Sequence, residues 1–125
     1  MSKDIKILIV DDFGTLRRII RNALKQGGYR DFTEANDGKQ ALKLLKTDKY
    51  DLILSDWNMT EMDGMALLQA VRSDQSLKHI PFLMITAEGS KESVVQAIQS
   101  GVSNYIIKPF TPDMLLNKIS KVMGD

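Results

Sequence analysis

With 125 residues, 43% of them hydrophobic and 26% charged, the chain is long enough for one domain with a real core and no more. Seventeen Lys and Arg against sixteen Asp and Glu leave a net charge of +1, which does not supply the basic field of a nucleic-acid binder. Cys is absent and His79 is the sole histidine, so disulfides, zinc–thiolate sites, thiol nucleophiles and histidine pairs are excluded.

Lys6–Val10 predicts a first strand, apolar enough to be buried on both faces. Its aliphatic stretch Ile7–Val10 is the longest in the chain and falls far short of the roughly 18 apolar residues of a membrane span. No basic, apolar, small-residue leader precedes it, so a cytoplasmic setting without membrane contact is expected. Leu16, Ile19, Ile20, Ala23 and Leu24 then follow the spacing of one helical stripe, with Arg17, Arg18, Arg21 and Lys25 turned toward water and Gly27-Gly28 closing the helix. Phe32–Ala35 is a mixed run, predicted to be a strand at a sheet edge. Asp37-Gly38-Lys39-Gln40 has the acid and Gln spacing of a capping box, opening a helix whose inner face is Ala41, Leu44 and Leu45.

The third strand is Leu52–Ser55, and Asp63 caps a third helix with Leu67, Leu68 and Val71 inward. Phe82–Thr86 is the fourth strand, followed by a helix from about Lys91 to Ser100 with Val94, Ala97 and Ile98 inward, stopped by Gly101. Asn104–Ile107 is the fifth strand; Thr111-Pro112 is a cap with Pro at the first helical position, and Leu115, Ile119 and Val122 form the last inner stripe. Strands alternating with helices predict one domain, an open α/β sandwich: a five-stranded parallel sheet with right-handed crossovers and helices on both faces. An eightfold barrel needs about twice the length.

In such a fold the functional residues gather at the carboxyl ends of the strands. There the sequence places Asp11 and Asp12 after strand one, Asp56, Trp57 and Asn58 after strand three, Thr86 at the end of strand four, and Lys108-Pro109 after strand five. Carboxylates brought this close repel: two unit charges about 4 Å apart interact by roughly 4 kcal/mol at an effective dielectric near 20. A hard cation, Mg²⁺ or Mn²⁺, relieves that repulsion. Metal, Lys108 and the Thr86 hydroxyl together suit a phosphoryl group, and a carboxylate not fully engaged can be its nucleophile. The first loop, Val10-Asp11-Asp12-Phe13-Gly14-Thr15, is acidic rather than Gly-rich, so a nucleotide-phosphate cradle is excluded there.

Val10-Asp11-Asp12-Phe13, Ser55-Asp56-Trp57-Asn58-Met59 with Met62-Asp63-Gly64, Thr86-Ala87-Glu88 and Lys108-Pro109-Phe110 resemble the receiver domain of two-component response regulators, over the whole chain and most closely its stand-alone chemotaxis members. The resemblance implies a flavodoxin-like strand order 2-1-3-4-5, with Asp56 as phosphoacceptor. It implies Mg²⁺ held by Asp12, Asp56 and the Asn58 carbonyl, with Asp11 acting through water, and phosphoryl oxygens held by Lys108 and Thr86. Thr86 and Tyr105 would switch a partner surface that includes Lys118, while Asn58 and Glu88 would tune dephosphorylation. A cis Lys108-Pro109 bond follows from the same resemblance, as do a histidine kinase as phosphodonor, a flagellar motor switch protein or other target, a phosphatase, and a monomeric state. One departure is Thr60, where the family usually has Pro; its effect would fall on metal affinity.

Plainer roles stand beside these. A lone Asp is more often a cap or a solvated loop acid, Tyr105 could be edge packing, and Lys118 a surface lysine. The Arg17–Lys25 run reads as a solvated helix face, Trp57 as a half-exposed neighbour, and His79 as surface. Three rival functions share parts of the pattern: a phosphorelay intermediate, a haloacid-dehalogenase-like phosphatase, and a pseudo-receiver without phosphorylation. The phosphatase would need its first two acids separated by one residue, whereas Asp11 and Asp12 are adjacent.

Overall fold

The computed structural model of the chain describes residues 3–59, 61–87 and 89–124. Strands and helices alternate: β1 Lys6–Val10, α1 Gly14–Gln26, β2 Asp31–Ala35, α2 Gly38–Thr47, β3 Leu52–Asp56, α3 Gly64–Ser73, β4 Phe82–Thr86, α4 Lys91–Gln99, β5 Asn104–Ile107 and α5 Pro112–Val122. All strand pairs are parallel and the sheet order is β2-β1-β3-β4-β5. The mixed run Phe32–Ala35 lies in edge strand β2, which pairs with β1 on one side only.

Side chains alternate across a strand, so a sheet covered on both faces has two cores. Leu8, Val10, Ile53, Phe82 and Met84 pack with Ala41 and Leu45 of α2, Leu67, Leu68 and Val71 of α3, and Ala97 of α4. Ile7, Ile9, Leu52, Leu54, Leu83, Ile85 and Ile106 face the other way, onto Ile20, Ala23 and Leu24 of α1 and Leu115 and Ile119 of α5. Fully burying one such aliphatic side chain contributes about 1.5–3 kcal/mol, so these two layers carry the fold.

Four expectations need correction. Ile19 is 48% exposed, because α1 buries a stripe narrower than its apolar spacing. Ile98 is 58% exposed; α4 buries Ala97 alone and turns Val95 and Ile98 outward. Arg17 and Arg21 are not a solvated face, since both pair with Glu34 of β2, at 3.2 and 2.7 Å. Asp37 does cap α2, accepting from the Gln40 N–H at 2.8 Å, but the Gln40 side chain returns to the Asn36 N–H at 2.6 Å rather than to the cap residue itself. The caps at Asp63 and Thr111 form as predicted.

Candidate functional site

At the carboxyl edge the sheet order reverses between β1 and β3, and a crevice opens there. Asp11 follows β1 with its N–H bonded to the Ala35 carbonyl at 3.1 Å, while Arg17 of α1 donates to the Asp11 carbonyl. These two contacts fix the backbone from both sides, and the Asp11 side chain is fully buried. Its Oδ1 accepts the Phe13 N–H at 2.7 Å, whereas its buried Oδ2 has no hydrogen-bond partner. Burial chiefly, and next the neighbouring Asp56 carboxylate, push the Asp11 carboxyl from 3.8 up to about 6; the Phe13 N–H and Lys108 oppose the rise.

Asp56 is the last residue of β3, one place further along the strand than the hydrophobic run suggests, and is 4% exposed. Its Oδ1 accepts both the Lys108 ammonium at 2.9 Å and the Trp57 N–H at 3.0 Å. The Lys108 N–H in turn donates to the Thr86 carbonyl at 2.8 Å, and the Lys108-Pro109 peptide is cis, as the resemblance implies. Thr86 closes β4 with its side chain buried. Carboxylate oxygens of Asp11, Asp12 and Asp56 lie within 4.8 Å of one another, with Asp12 exposed at the mouth. Asn58 is exposed on the loop beyond Trp57, which is itself half-buried.

All these donors are oxygen, and one is a buried carboxylate atom that nothing else satisfies. That set fits a hard divalent cation, which prefers several carboxylates over nitrogen or sulfur. Asp11, Asp12 and Asp56 are the side chains able to hold it.

Tyr105 sits half-buried on β5, at the margin of the α2–α3–α4 core. The Lys118 ammonium lies 5.4 Å from its ring centroid and 3.3 Å from the Asn104 side-chain oxygen. The rim therefore gathers Asp11, Asp12, Asp56, Thr86 and Lys108, with Tyr105 and Lys118 on the neighbouring β5–α5 face. Glu88 and Thr60 lie outside the described residues. His79 is exposed at the opposite edge of the sheet, in the connection before β4.

Two glycines have structural roles that the sequence pattern does not reveal. Gly64 donates to the Trp57 carbonyl at 2.7 Å, and a Cβ there would overlap the Asp56 carbonyl oxygen. Gly38 donates to the Met62 carbonyl at 3.1 Å, and a Cβ there would overlap that same oxygen. The available signal was Gly at the first helical position of both α2 and α3, where a poor helix former has no local advantage over Ala.

A family model for the response regulator receiver domain matches residues 7–120. Chemotaxis protein CheY-3 of Vibrio cholerae is 48% identical over 122 residues, covering 98% of this chain and 94% of that protein. Chemotaxis protein CheY of Pseudomonas aeruginosa is 50% identical over 117 residues, covering 94% of each. Among solved structures, chemotaxis protein CheY4 of V. cholerae superimposes with a TM-score of 0.88 at 34% identity, over 95% of this chain and 98% of that one. The receiver domain of a Francisella response regulator gives 0.88 at 32% identity, over 97% and 98%.

Proposed function

We propose that this chain, which belongs to the response regulator receiver family, is a phosphorylation-driven switch whose acceptor is Asp56 and whose output is control of the flagellar motor in chemotaxis. The observation that carries the acceptor assignment is the asymmetry of the Asp56 carboxylate. Oδ1 holds both the Lys108 ammonium and the Trp57 N–H, which leaves Oδ2 as the attacking oxygen. Asp56 Oδ2 attacks phosphorus of a phosphohistidine on a histidine kinase, or of a small phosphodonor. The P–N bond breaks, the imidazole leaves with the electron pair and takes a proton from water, and an aspartyl phosphate remains. Lys108 neutralises charge on the transferring oxygens, and the Thr86 hydroxyl donates to one of them.

Asp11, Asp12, Asp56 and the Asn58 carbonyl would hold Mg²⁺, or Mn²⁺ in its place. When bound, such an ion supplies positive charge against the acids and the phosphoryl oxygens. By the family resemblance Asp11 acts through water, and its buried Oδ2 is the atom left without a partner. Water later attacks phosphorus, the P–O bond to Asp56 breaks, and carboxylate and phosphate are regenerated; by the family resemblance Asn58 and Glu88 tune the rate of that step. The phosphorylated state draws Thr86 inward and repositions Tyr105, changing the face of α4, β5 and α5 that carries Lys118 and meets the motor switch protein. The protein acts as a monomer in the cytoplasm, and a phosphatase can shorten the signal.

The test is acid-labile labelling by a small phosphodonor in the presence of Mg²⁺. Wild type takes up label and Asp56→Asn takes up none; label retained in the variant moves the acceptor elsewhere. Pull-downs with phosphorylated and unmodified protein from the native extract then read the output. Enrichment of motor-switch proteins by the phospho-form supports motor control, and enrichment of a second phosphotransfer protein instead assigns a relay.

A further inference from the structure

The outer face of α2 is basic in a way the rest of the chain does not balance. Lys39, Lys43 and Lys46 lie at i, i+4 and i+7, on one side of the helix, with half-buried Leu42 at the edge of the stripe. They line a groove of about 580 Å³ together with Asn36 and Asp37. No acid lies within α2, and among the described residues no ion pair reaches these three lysines. The acids that flank the helix are already engaged. Asp37 accepts the Gln40 N–H, and Asp48 pairs with Lys6 at 2.5 Å. Asp37 in the groove offsets one of these charges, and the three lysines still leave this face positive beside an apolar residue.

The same groove is joined to the acid pocket. Gly38, its first helical residue, donates to the Met62 and Glu61 carbonyls, at 3.1 and 3.3 Å. Met62 is held at φ 52°, a left-handed conformation that strains a non-glycine residue and persists only when its surroundings fix it. Two residues on, Gly64 is bonded to Trp57 and packed against the Asp56 carbonyl. Backbone that moves at Asp56–Trp57 thus pulls on contacts that end at the start of α2.

We propose that this α2 face docks an acidic helical segment of a partner protein, and that its grip is adjusted through the Gly38–Met62 latch when Asp56 is modified. An acidic peptide fits better than a phosphate backbone or a lipid headgroup, because Leu42 adds an apolar edge to the lysine stripe that an amphipathic helix matches. The adjustment, though not the docking, rests on Asp56 being the phosphoacceptor.

The probe is a synthetic helical peptide carrying Glu at i, i+4 and i+7 around a Leu, titrated into the isotope-labelled full chain and followed by amide chemical shifts. Shifts centred on Lys39, Leu42, Lys43 and Lys46, weakened about tenfold or more by Lys39→Glu with Lys43→Glu and weakened by salt, support the groove. Shifts confined to another face, no binding, or equal binding of these lysines to duplex DNA or anionic vesicles overturn it. The titration is repeated with Mg²⁺ and beryllofluoride, whose binding is read independently by fluorine resonance. A changed peptide affinity with beryllofluoride bound supports the latch, and an unchanged affinity overturns that part. Beryllofluoride failing to bind instead counts against the Asp56 assignment, while the groove is still decided by the unmodified protein.

Discussion

Replacing Asp11 by Asn isolates the electrostatic cost of the rim. In the folded chain the Asp11 carboxyl is raised from 3.8 to about 6, so folding favours its protonated form. Below 3.8 it is protonated folded and unfolded, and no penalty arises. As pH climbs toward 6 the unfolded chain ionises first, and stability falls. Above 6 both states are ionised and the loss is constant, at most about 3 kcal/mol for a shift of this size. Burial supplies the largest part of that penalty, and repulsion from Asp56 adds to it, with the Phe13 N–H and Lys108 offsetting part. In Asp11→Asn the amide oxygen keeps the Phe13 N–H, and the amide nitrogen replaces the unpartnered Oδ2 and faces carboxylates. Urea unfolding without divalent metal should therefore show Asn more stable than Asp by an amount that grows between 3.8 and 6 and then levels off. Adding Mg²⁺ should close the gap by stabilising wild type more. A stability difference independent of pH would refute this account of the pocket.

Gly64→Ala forces backbone apart at Asp56 and Trp57 and should cost about 1–3 kcal/mol, read as a lower urea midpoint with unchanged slope. Arg72 donates to the carbonyls of Gly101, Lys78 and Ile80, and so ties the end of α3 to two loops; Arg72→Ala should cost about 2–3 kcal/mol, with Arg72→Lys rescuing little. Lys108→Ala strips the cation from the buried Asp56 carboxylate and should lower stability at neutral pH without divalent metal, with Mg²⁺ recovering part of the loss, and the phosphorylated variant should bind its target no more tightly than the unmodified one. An affinity gain equal to that of wild type would count against Lys108 as the link to the output face.

The site was legible because its acids sit at strand ends, and strands declare themselves. Once Ile7–Val10 and Leu52–Leu54 are read as neighbouring parallel strands, Asp11, Asp12 and Asp56 must meet, whatever lies between them. Helix faces were less legible for a physical reason. Ile19 and Ile98 fit the periodicity of a buried stripe, but how wide a stripe is covered depends on how closely the neighbouring elements approach, and a single helix does not encode that. Arg17 and Arg21 read as solvent-facing because their partner, Glu34, comes from a different strand. The two tight glycines were hidden in the same way: Gly38 and Gly64 look like ordinary cap neighbours, and only the tertiary approach of Met62 and Asp56 shows why a side chain is excluded.

Charge placement at this rim opposes folding at Asp11 and keeps an oxygen clear at Asp56. Asp11 Oδ2 lacks a hydrogen-bond partner, and Asp56 keeps one oxygen clear of Lys108. A fold selected for stability alone would neutralise Asp11, as Asn at that position would. Leaving its Oδ2 unsatisfied gives incoming positive charge a larger free-energy change on arrival than a relaxed pocket could give. The loop after β3 is held at Gly64 beside Asp56 and at Gly38 beside α2. Under the proposed latch, the penalty on Asp11 and the tight packing at the two glycines act together. Relieving either should weaken the signal: Asp11→Asn by shrinking the response to Mg²⁺, and Gly64→Ala by loosening the backbone that transmits it.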